Sequence, residues 1–494
     1  MQNEPDRIEW IQCAVAHKMK QTNINSDFLP LKGIFGVEDS RTRDNGAALA
    51  TVSTPLSERI SNGVANRVCS EDRAAHDWYR FVLSFPPHLV RKYVERFGLN
   101  EQSVVLDPFC GTGTTLVECK RIGVPSIGVE AHPMSYFASA TKVRWNANPD
   151  SLLQLAYAIK EKALRALTKD GLTDEPSLRN EKRSHRLRTL PPESLKLLLT
   201  NSISPLPLHK TLVLLDCIAE EGSRGHSDFL RLALAKALVS TISNLHFGPE
   251  VGVSKPKPDS PVLLPWLCQV EVIARDLKGL RPQAKVPATA YLGDSRQIMS
   301  TELGLEAIDA VITSPPYPNE KDYTRTTRLE SVLLGFINNK EELRRVKAVL
   351  IRSNTRSVYK LDDDHKWVDH HPEIQRIAGA IETRRIELGK TSGFERMYAR
   401  LTKLYFGGMF RHLDELRKVL RPGASLAYVV GDQASYLRVM IRTGQLLGEI
   451  AESLGYKVEN IDLFRTRLST ATREQLREEV VVLKWPGNGR SGRV

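Results

Sequence analysis

Apolar and polar positions along the chain alternate between two spacings, and the switch between them outlines the fold. In "SVVLDPFCGTGTTLVECKRIG" (103–123) a continuous apolar run gives way to a glycine-rich turn and then to helical spacing, and "SIGVE" (126–130) follows as a short strand ending in an acid. That succession predicts a strand–helix–strand unit. Upstream, "HDWYRFVLSFPPHLVRKYVERFGL" (76–99) carries apolar residues at helical spacing around a Phe-Pro-Pro turn. From 150 to 285 the helical period takes over. Leu152, Leu155, Ile159, Ala163 and Leu167 mark one helix, and "HKTLVLLDCIAEE" (209–221) and "DFLRLALAKALVSTISNLHF" (228–247) mark two more. Between these, "EKRSHRLR" (181–188) and "GPEVGVSKPKPDSP" (248–261) read as exposed loops. Strand patterns return in "ATAYLGDSR" (288–296) and "IDAVITSPPY" (308–317). A charged, mostly helical stretch (338–412) follows, and then the buried strand of "LRKVLRPGASLAYVVGD" (416–432). "ESLGYKVENIDLF" (452–464) and "EEVVVLKW" (478–485) predict a closing antiparallel hairpin.

The expected architecture is therefore α/β: a doubly wound, mostly parallel sheet with helices on both faces, an antiparallel C-terminal hairpin and a helical insertion. Its expected divisions are a loosely ordered, polar N-terminal arm (1–70), a first part of the sheet domain (71–149), the helical insertion (150–285), a second part (286–486) and a short tail (487–494). No internal repeat is visible. Lys and Arg outnumber Asp and Glu by 70 to 58 over 494 residues, a net charge of +12 that suits a polyanionic partner and equally suits general solubility. The six cysteines include no C-x-x-C pair, so neither a disulfide framework nor a zinc ribbon is indicated. No apolar run approaches the ~18 residues of a membrane span, and "MQNEPDRIEW" lacks the basic start and apolar stretch of a signal peptide. A cytoplasmic protein without a membrane partner is expected.

Two turns carry candidate chemistry. In "DPFCGTGTT" (107–115) the glycines allow close backbone approach to a ligand, and the helix that follows offers free N–H groups. Glu130, ending the next strand about 17 residues after the glycines, is placed to accept hydrogen bonds from the two hydroxyls of a ribose. The third glycine of the dinucleotide fingerprint is absent, since position 116 is Leu, and no phosphate-loop Lys follows. A nucleoside cofactor without a pyrophosphate fits better than NAD or ATP, although a glycine turn can also serve packing alone. In "TSPPY" (313–317) two prolines fix φ and remove two donors, leaving bare carbonyls, a hydroxyl and an aromatic ring in a stiff arrangement. On its own, that turn also reads as a polyproline-like surface ligand.

Taken together, the two turns resemble the amino-methylating DNA methyltransferases, in which "DPFCGTGTT" matches the F-x-G-x-G cofactor motif and "TSPPY" the [D/N/S]-P-P-[Y/F/W] catalytic motif. Supporting matches are "SFPP" (84–87), "GVEAHP" (128–133), "GDSR" (293–296) and "RPGASLAYVVGD" (421–432), so the resemblance covers about residues 76–148 and 288–485. It implies a Rossmann-like class I methyltransferase fold and S-adenosylmethionine as cofactor, bound by Asp107, Phe109, Gly111, Gly113, Thr114, Glu130 and Asp294 with Ser84 and Phe85 nearby. It also implies catalysis by Ser314, Pro315, Pro316 and Tyr317, in which hydroxyl and carbonyl accept the two hydrogens of an exocyclic amine and the ring stacks on a base turned out of the helix. Ser at the first position implies cytosine N4 as the target, where Asp or Asn implies adenine N6. Methylation at carbon 5 needs a nucleophilic cysteine, which the family places after Pro, and no Pro-Cys dipeptide occurs. Cys110 and Cys119 read as packing residues.

Lys321, Arg325 and Arg328 in "KDYTRTTR" and Arg344, Arg345, Lys347, Arg352 and Arg356 in "RRVKAVLIRSNTR" suit phosphate contacts. The helical insertion and 338–412 are candidates for a DNA cleft. In this order the cofactor motif precedes the catalytic one, and the long break falls between Glu130 and "GDSR". "DDDHKWVDHH" (362–371) lacks a spaced metal-ligand pattern, and methyl transfer from a sulfonium needs no metal. No nuclease or helicase signature is visible, so any restriction endonuclease partner is expected to be a separate chain. Adenine N6, an RNA amine, or a catalytically silent DNA-binding module remain open at this point.

Overall fold

A computed structural model of the chain describes residues 69–80, 84–175, 187–221, 225–248, 250–300, 304–468 and 473–487. The expected N-terminal arm falls, but for its last two residues, outside the described residues, as do most of "EKRSHRLR" and nearly all of the tail. Helix α1 (Pro87–Arg96) opens after the Phe-Pro-Pro turn, with Pro at its first position. Strand β1 (Val105–Asp107), α2 (Thr114–Arg121), β2 (Ser126–Glu130) and α3 (Pro133–Lys142) form the strand–helix–strand unit and its following helix.

Four helices occupy the next stretch: α4 (Pro149–Lys169), α5 (Pro205–Glu221), α6 (Ser227–Ala237) and α7 (Leu263–Leu280). The Asn148 side chain caps α4 by accepting from the backbone N–H groups of Asp150 and Ser151. Leu152, Ala156, Ile159, Ala163 and Leu167 of α4 are buried in one core with Leu116 and Val117 of α2 and Met134 and Phe137 of α3. The four helices thus extend the layer covering one side of the sheet. Part of the expected loop at 248–261 is instead a short hairpin, β3 (Leu245–Phe247) with β4 (Val251–Val253). Gly252 permits it, because a Cβ there would lie 2.3 Å from the ring of His246, its cross-strand partner. The Asn244 side chain anchors the base by accepting from Lys257 N–H and donating to Asn201 C=O.

β5 (Ala288–Leu292) and β6 (Ile308–Thr313) return to the sheet. Helices α8 (Lys340–Ala348), α9 (Pro372–Glu387) and α10 (Tyr398–Leu416) precede β7 (Leu420–Gly431), α11 (Thr443–Ser453) and the hairpin of β8 (Lys457–Leu468) and β9 (Gln475–Lys484). The seven strands run β5-β2-β1-β6-β7-β9-β8. β1, β2, β5, β6 and β7 pair in parallel, and β9 runs antiparallel to both of its neighbours. Side-chain alternation divides the strands between two cores. Val105, Ile312, Ala427, Val429, Val480 and Val482 pack with α1, whereas Leu106, Val311, Leu426, Tyr428, Val481 and Leu483 pack with α10 and α11. Burial on both faces is what a covered parallel sheet requires. This is the mostly parallel Rossmann-like architecture with an antiparallel C-terminal hairpin.

One buried electrostatic clamp joins distant parts of the second half. Arg296, just past β5, pairs with Asp294 and Asp364 at 2.6 Å each, and Arg411 of α10 pairs with the other oxygen of Asp364. Gly407 lets α10 lie directly on this point, since a Cβ there would fall 1.8 Å from the Asp364 carbonyl oxygen.

Candidate active site

The strand order reverses between β1 and β6, and in open parallel sheets the crevice beyond the carboxyl ends at such a point receives ligands. Both candidate turns emerge there. Asp107 closes β1 and Thr313 closes β6, and the Thr313 hydroxyl donates to Asp107 Oδ1 at 2.6 Å. Thr115 Oγ1 donates to the other oxygen at 2.6 Å and Phe109 N–H to the first at 3.1 Å. Complete burial pushes the Asp107 carboxyl up to about 6 against these hydrogen bonds. Asp107 therefore fastens the two turns to each other.

The glycine turn is shaped by neighbours that leave no room for side chains. Gly113, with φ at 86°, is the N-cap of α2, and a Cβ there would meet Ser139 Cβ at 3.0 Å. In β2, a Cβ at Gly128 would lie 2.7 Å from the Cys110 sulfur, and both Cys110 and Cys119 are buried. Glu130 ties the end of β2 to the turn: one oxygen accepts from Gly111 N–H at 2.8 Å and the other from His132 N–H at 2.7 Å. Burial raises its carboxyl to about 7. Each oxygen keeps a second lone pair for a ligand.

A cavity of about 220 Å3 opens between the turns, lined by Ser84, Phe85, Phe109, Gly111, Thr112, Thr114 and Glu130 on one side and by Ser314, Pro315, Pro316 and Tyr317 on the other. Of the thirteen residues expected to bind cofactor or act in catalysis, Asp107 and Gly113 stand behind this wall as supports. Asp294 is also absent from it, because its carboxylate is held by Arg296, while its neighbours Gly293 and Ser295 do line the cavity. The donor set fits a nucleoside cofactor bearing a polar chain. Beside the lone pairs of Glu130, the buried Thr112 hydroxyl lies in the wall without a partner in the protein.

In the second turn, Ser314 Oγ–H donates to the Val429 carbonyl of β7 at 3.1 Å, which leaves the oxygen lone pairs to accept. Among the described residues no backbone N–H reaches the Pro315 carbonyl. The Tyr317 ring packs over Gly431, where a Cβ would meet its Cε2 at 3.2 Å. Burial and the nearby Glu478 hold the Tyr317 phenol above its ordinary range, so the ring is a neutral stacking face. The turn thus presents two oxygen acceptors and an aromatic face, fixed by the sheet behind them.

The basic residues expected to meet DNA separate into two groups. Arg344 and Arg345 are exposed on α8, the latter beside Glu341, and Arg356 is exposed over the Phe394 ring at 5.4 Å. Arg325 is half-buried, and Lys321 pairs with Glu250 at 3.1 Å. Three others are engaged within the protein. Lys347 is buried against Asp322 at 3.0 Å, and Arg352 is buried against Asp362 while donating to three backbone carbonyls. Arg328 bonds to Thr324 and to the Leu197 carbonyl. Lys347 and Arg352, both expected to meet phosphate, are thus found with carboxylate partners inside the protein.

Several residues of the site carry no motif. Lys142 of α3, almost wholly buried and lowered to about 7 by that burial, donates to the Thr112 carbonyl at 3.0 Å and so pins the glycine turn from behind. His132, kept neutral by burial at about 4, lies in the cavity wall with its Nε2 3.1 Å from the Thr327 hydroxyl. Tyr323 and Asn354 complete the wall beyond the catalytic turn. Lys347 does have a sequence signal, since Leu343, Val346 and Leu350 at helical spacing put it on an apolar face.

A mostly parallel sheet with an antiparallel last strand, with a glycine turn and a proline turn meeting at its switch point, defines a Rossmann-like methyltransferase. A family model for N6/N4 methyltransferases, described as DNA methylase, matches residues 26–141, which include the glycine turn and Glu130. The chain is 26% identical over 448 residues to the Type II methyltransferase M.BsoBI of Geobacillus stearothermophilus, covering 84% of this chain and 85% of that protein. It is 24% identical over 459 residues to the Type II methyltransferase M.AvaI of Nostoc sp., covering 87% and 90%. A shorter likeness, 33% over 69 residues, joins it to the Type II methyltransferase M.MjaII of Methanocaldococcus jannaschii, 14% of this chain and 13% of that one. The family model and these Type II relatives together support an amino-methylating DNA methyltransferase family for this chain.

Proposed function

We propose that this protein transfers a methyl group from S-adenosylmethionine to the N4 amine of cytosine in DNA, acting on a base turned out of the helix. The observation that carries this reading is the shared cavity, with Glu130 and the glycine turn on one wall and Ser314 to Tyr317 on the other. The cofactor supplies an electrophilic methyl group on a sulfonium. Glu130 would accept the ribose hydroxyls, and Thr112 and the start of α2 would face the polar chain. Phe109, held edge-on to His412 at 4.7 Å, would bound the adenine side. An exocyclic amine is a weak nucleophile because its lone pair is delocalised into the ring. Ser314 Oγ and the Pro315 carbonyl would accept its two hydrogens and favour a pyramidal nitrogen, an arrangement most valuable as positive charge grows on that atom. Tyr317 would stack on the base, and the prolines hold the geometry in advance.

Ser rather than Asp or Asn at position 314 supports cytosine over adenine as the target. The residues from Val349 to Ser357 that reach the cavity wall support 338–412 as part of the DNA cleft. We also propose a cytoplasmic setting beside a separately encoded restriction endonuclease, a reading in keeping with its likeness to Type II methyltransferases. Mass spectrometry of nucleosides from host-cell DNA and RNA, with and without the protein, tests the reading. N4-methylcytosine appearing in DNA alone is the expected result, and N6-methyladenine, or a mark only in RNA, refutes the target. For the DNA face, Arg344→Ala and Arg345→Ala should each reduce the slope of log affinity against log salt by about one, as expected when a phosphate contact is lost. A slope unchanged by both substitutions removes α8 from the interface.

A further inference from the structure

Leu361 is 92% exposed, more than any other large apolar side chain among the described residues. The loop that carries it is nevertheless tightly held. Arg352 donates to both oxygens of Asp362, at 2.8 and 2.7 Å, and Asp362 also accepts from Tyr359 N–H at 2.7 Å. From the other side, Arg400 donates to the carbonyls of Tyr359, Lys360 and Asp362 at 3.0 to 3.2 Å. Two arginines therefore clamp the backbone around one leucine that touches almost nothing. Ser357, in the wall of the cavity, lies four residues earlier, so Leu361 stands within ~14 Å of it along the chain. Exposed Lys360 precedes it and exposed Arg356 lies five residues earlier, both suited to phosphates, and the acidic neighbour Asp363 is near Lys366 at 3.5 Å.

We infer that Leu361 is a wedge that enters the base stack of duplex DNA and fills the gap left when the target nucleotide turns out. Apolar side chains inserted between base steps are an established way of offsetting lost stacking, and a rigid, charged-flanked projection beside the receiving cavity meets the requirement. This rests on the proposed function, because only an enzyme that extracts its base leaves such a gap. Leu361 then acts as a positioning residue, since it never meets the reacting atoms.

The test uses full-length protein, Leu361→Ala and Leu361→Phe. Two duplexes carry the mapped target site, one fully paired and one with an abasic position opposite the target. On the paired duplex, Leu361→Ala should lose about tenfold or more in kcat/KM, while Leu361→Phe keeps most of it. On the abasic duplex, where extraction is easy, Leu361→Ala should come within about twofold of wild type. A Leu361→Ala enzyme as active as wild type on paired DNA, or one equally impaired on both duplexes, overturns the wedge. If wild type transfers no methyl group to either duplex, the proposed function fails with it.

Discussion

Ser314→Ala should lower turnover by about 100-fold or more while leaving the affinity for S-adenosylmethionine within about twofold of wild type. The Ser314 hydroxyl donates to Val429 and so has only lone pairs to offer the substrate amine. Alanine removes one of the two acceptors aligned with a nitrogen that becomes positive as the methyl group transfers. The loss is thus concentrated in the transition state and should appear in kcat rather than in cofactor binding. Single-turnover kinetics alongside calorimetry of cofactor binding separates the two. Loss of cofactor affinity together with turnover would show that Ser314 belongs to the cofactor wall instead. Folding should suffer little, because the change strips one hydrogen bond of about 1 kcal/mol from the Val429 carbonyl.

The second large effect belongs to Glu130. Its two oxygens already take the N–H groups of Gly111 and His132, and the ribose hydroxyls would use their remaining lone pairs. Glu130→Gln places an NH2 donor against one of those N–H groups and abolishes the charge, so cofactor affinity should fall by about 100-fold or more. A pH signature accompanies it. Burial holds the wild-type carboxyl at about 7, and hydroxyl donors favour its charged form. Cofactor affinity should therefore rise as pH increases from about 6 to about 8 and level off above. Below that window the free protein must first give up a proton from Glu130 in order to bind. Calorimetric titration across the window should show the slope in wild type and a clearly smaller one in Glu130→Gln. A wild type flat in pH, with the variant binding equally well, would exclude Glu130 from the cofactor.

The two turns were legible because their constraints are local. A φ of 86° at Gly113 and the fixed φ of Pro315 and Pro316 can be met by few residue types, and Glu130 ends its strand in the same register in which it is written. The parallel pairing of β1 with β2 was legible in the strand–helix–strand spacing. What stayed hidden depends on rotation and long-range pairing. Helical spacing shows which face of α8 carries Lys347, but not that Asp322, 25 residues away in sequence, meets it there. Asp294 keeps a family position, yet the side chain two residues on occupies its carboxylate. Lys142 gives no sign of its bond to Thr112, 30 residues earlier, because a single lysine near a helix end ordinarily reads as a solvated cation.

The clamp of Arg296 on the carboxylates of Asp294 and Asp364, with Gly407 pressed on the Asp364 backbone carbonyl, bears on how such enzymes can be re-engineered. Residues 338–412 cannot be exchanged as a cassette between relatives of different sequence preference. A graft that replaces Asp364 removes one of the two buried carboxylate partners of Arg296, and one without a glycine at 407 drives α10 off the Asp364 backbone. A workable chimera has to carry Arg296, Asp364, Gly407 and Arg411 as one inherited set, so the crossover point belongs upstream of β5 rather than after the proline turn.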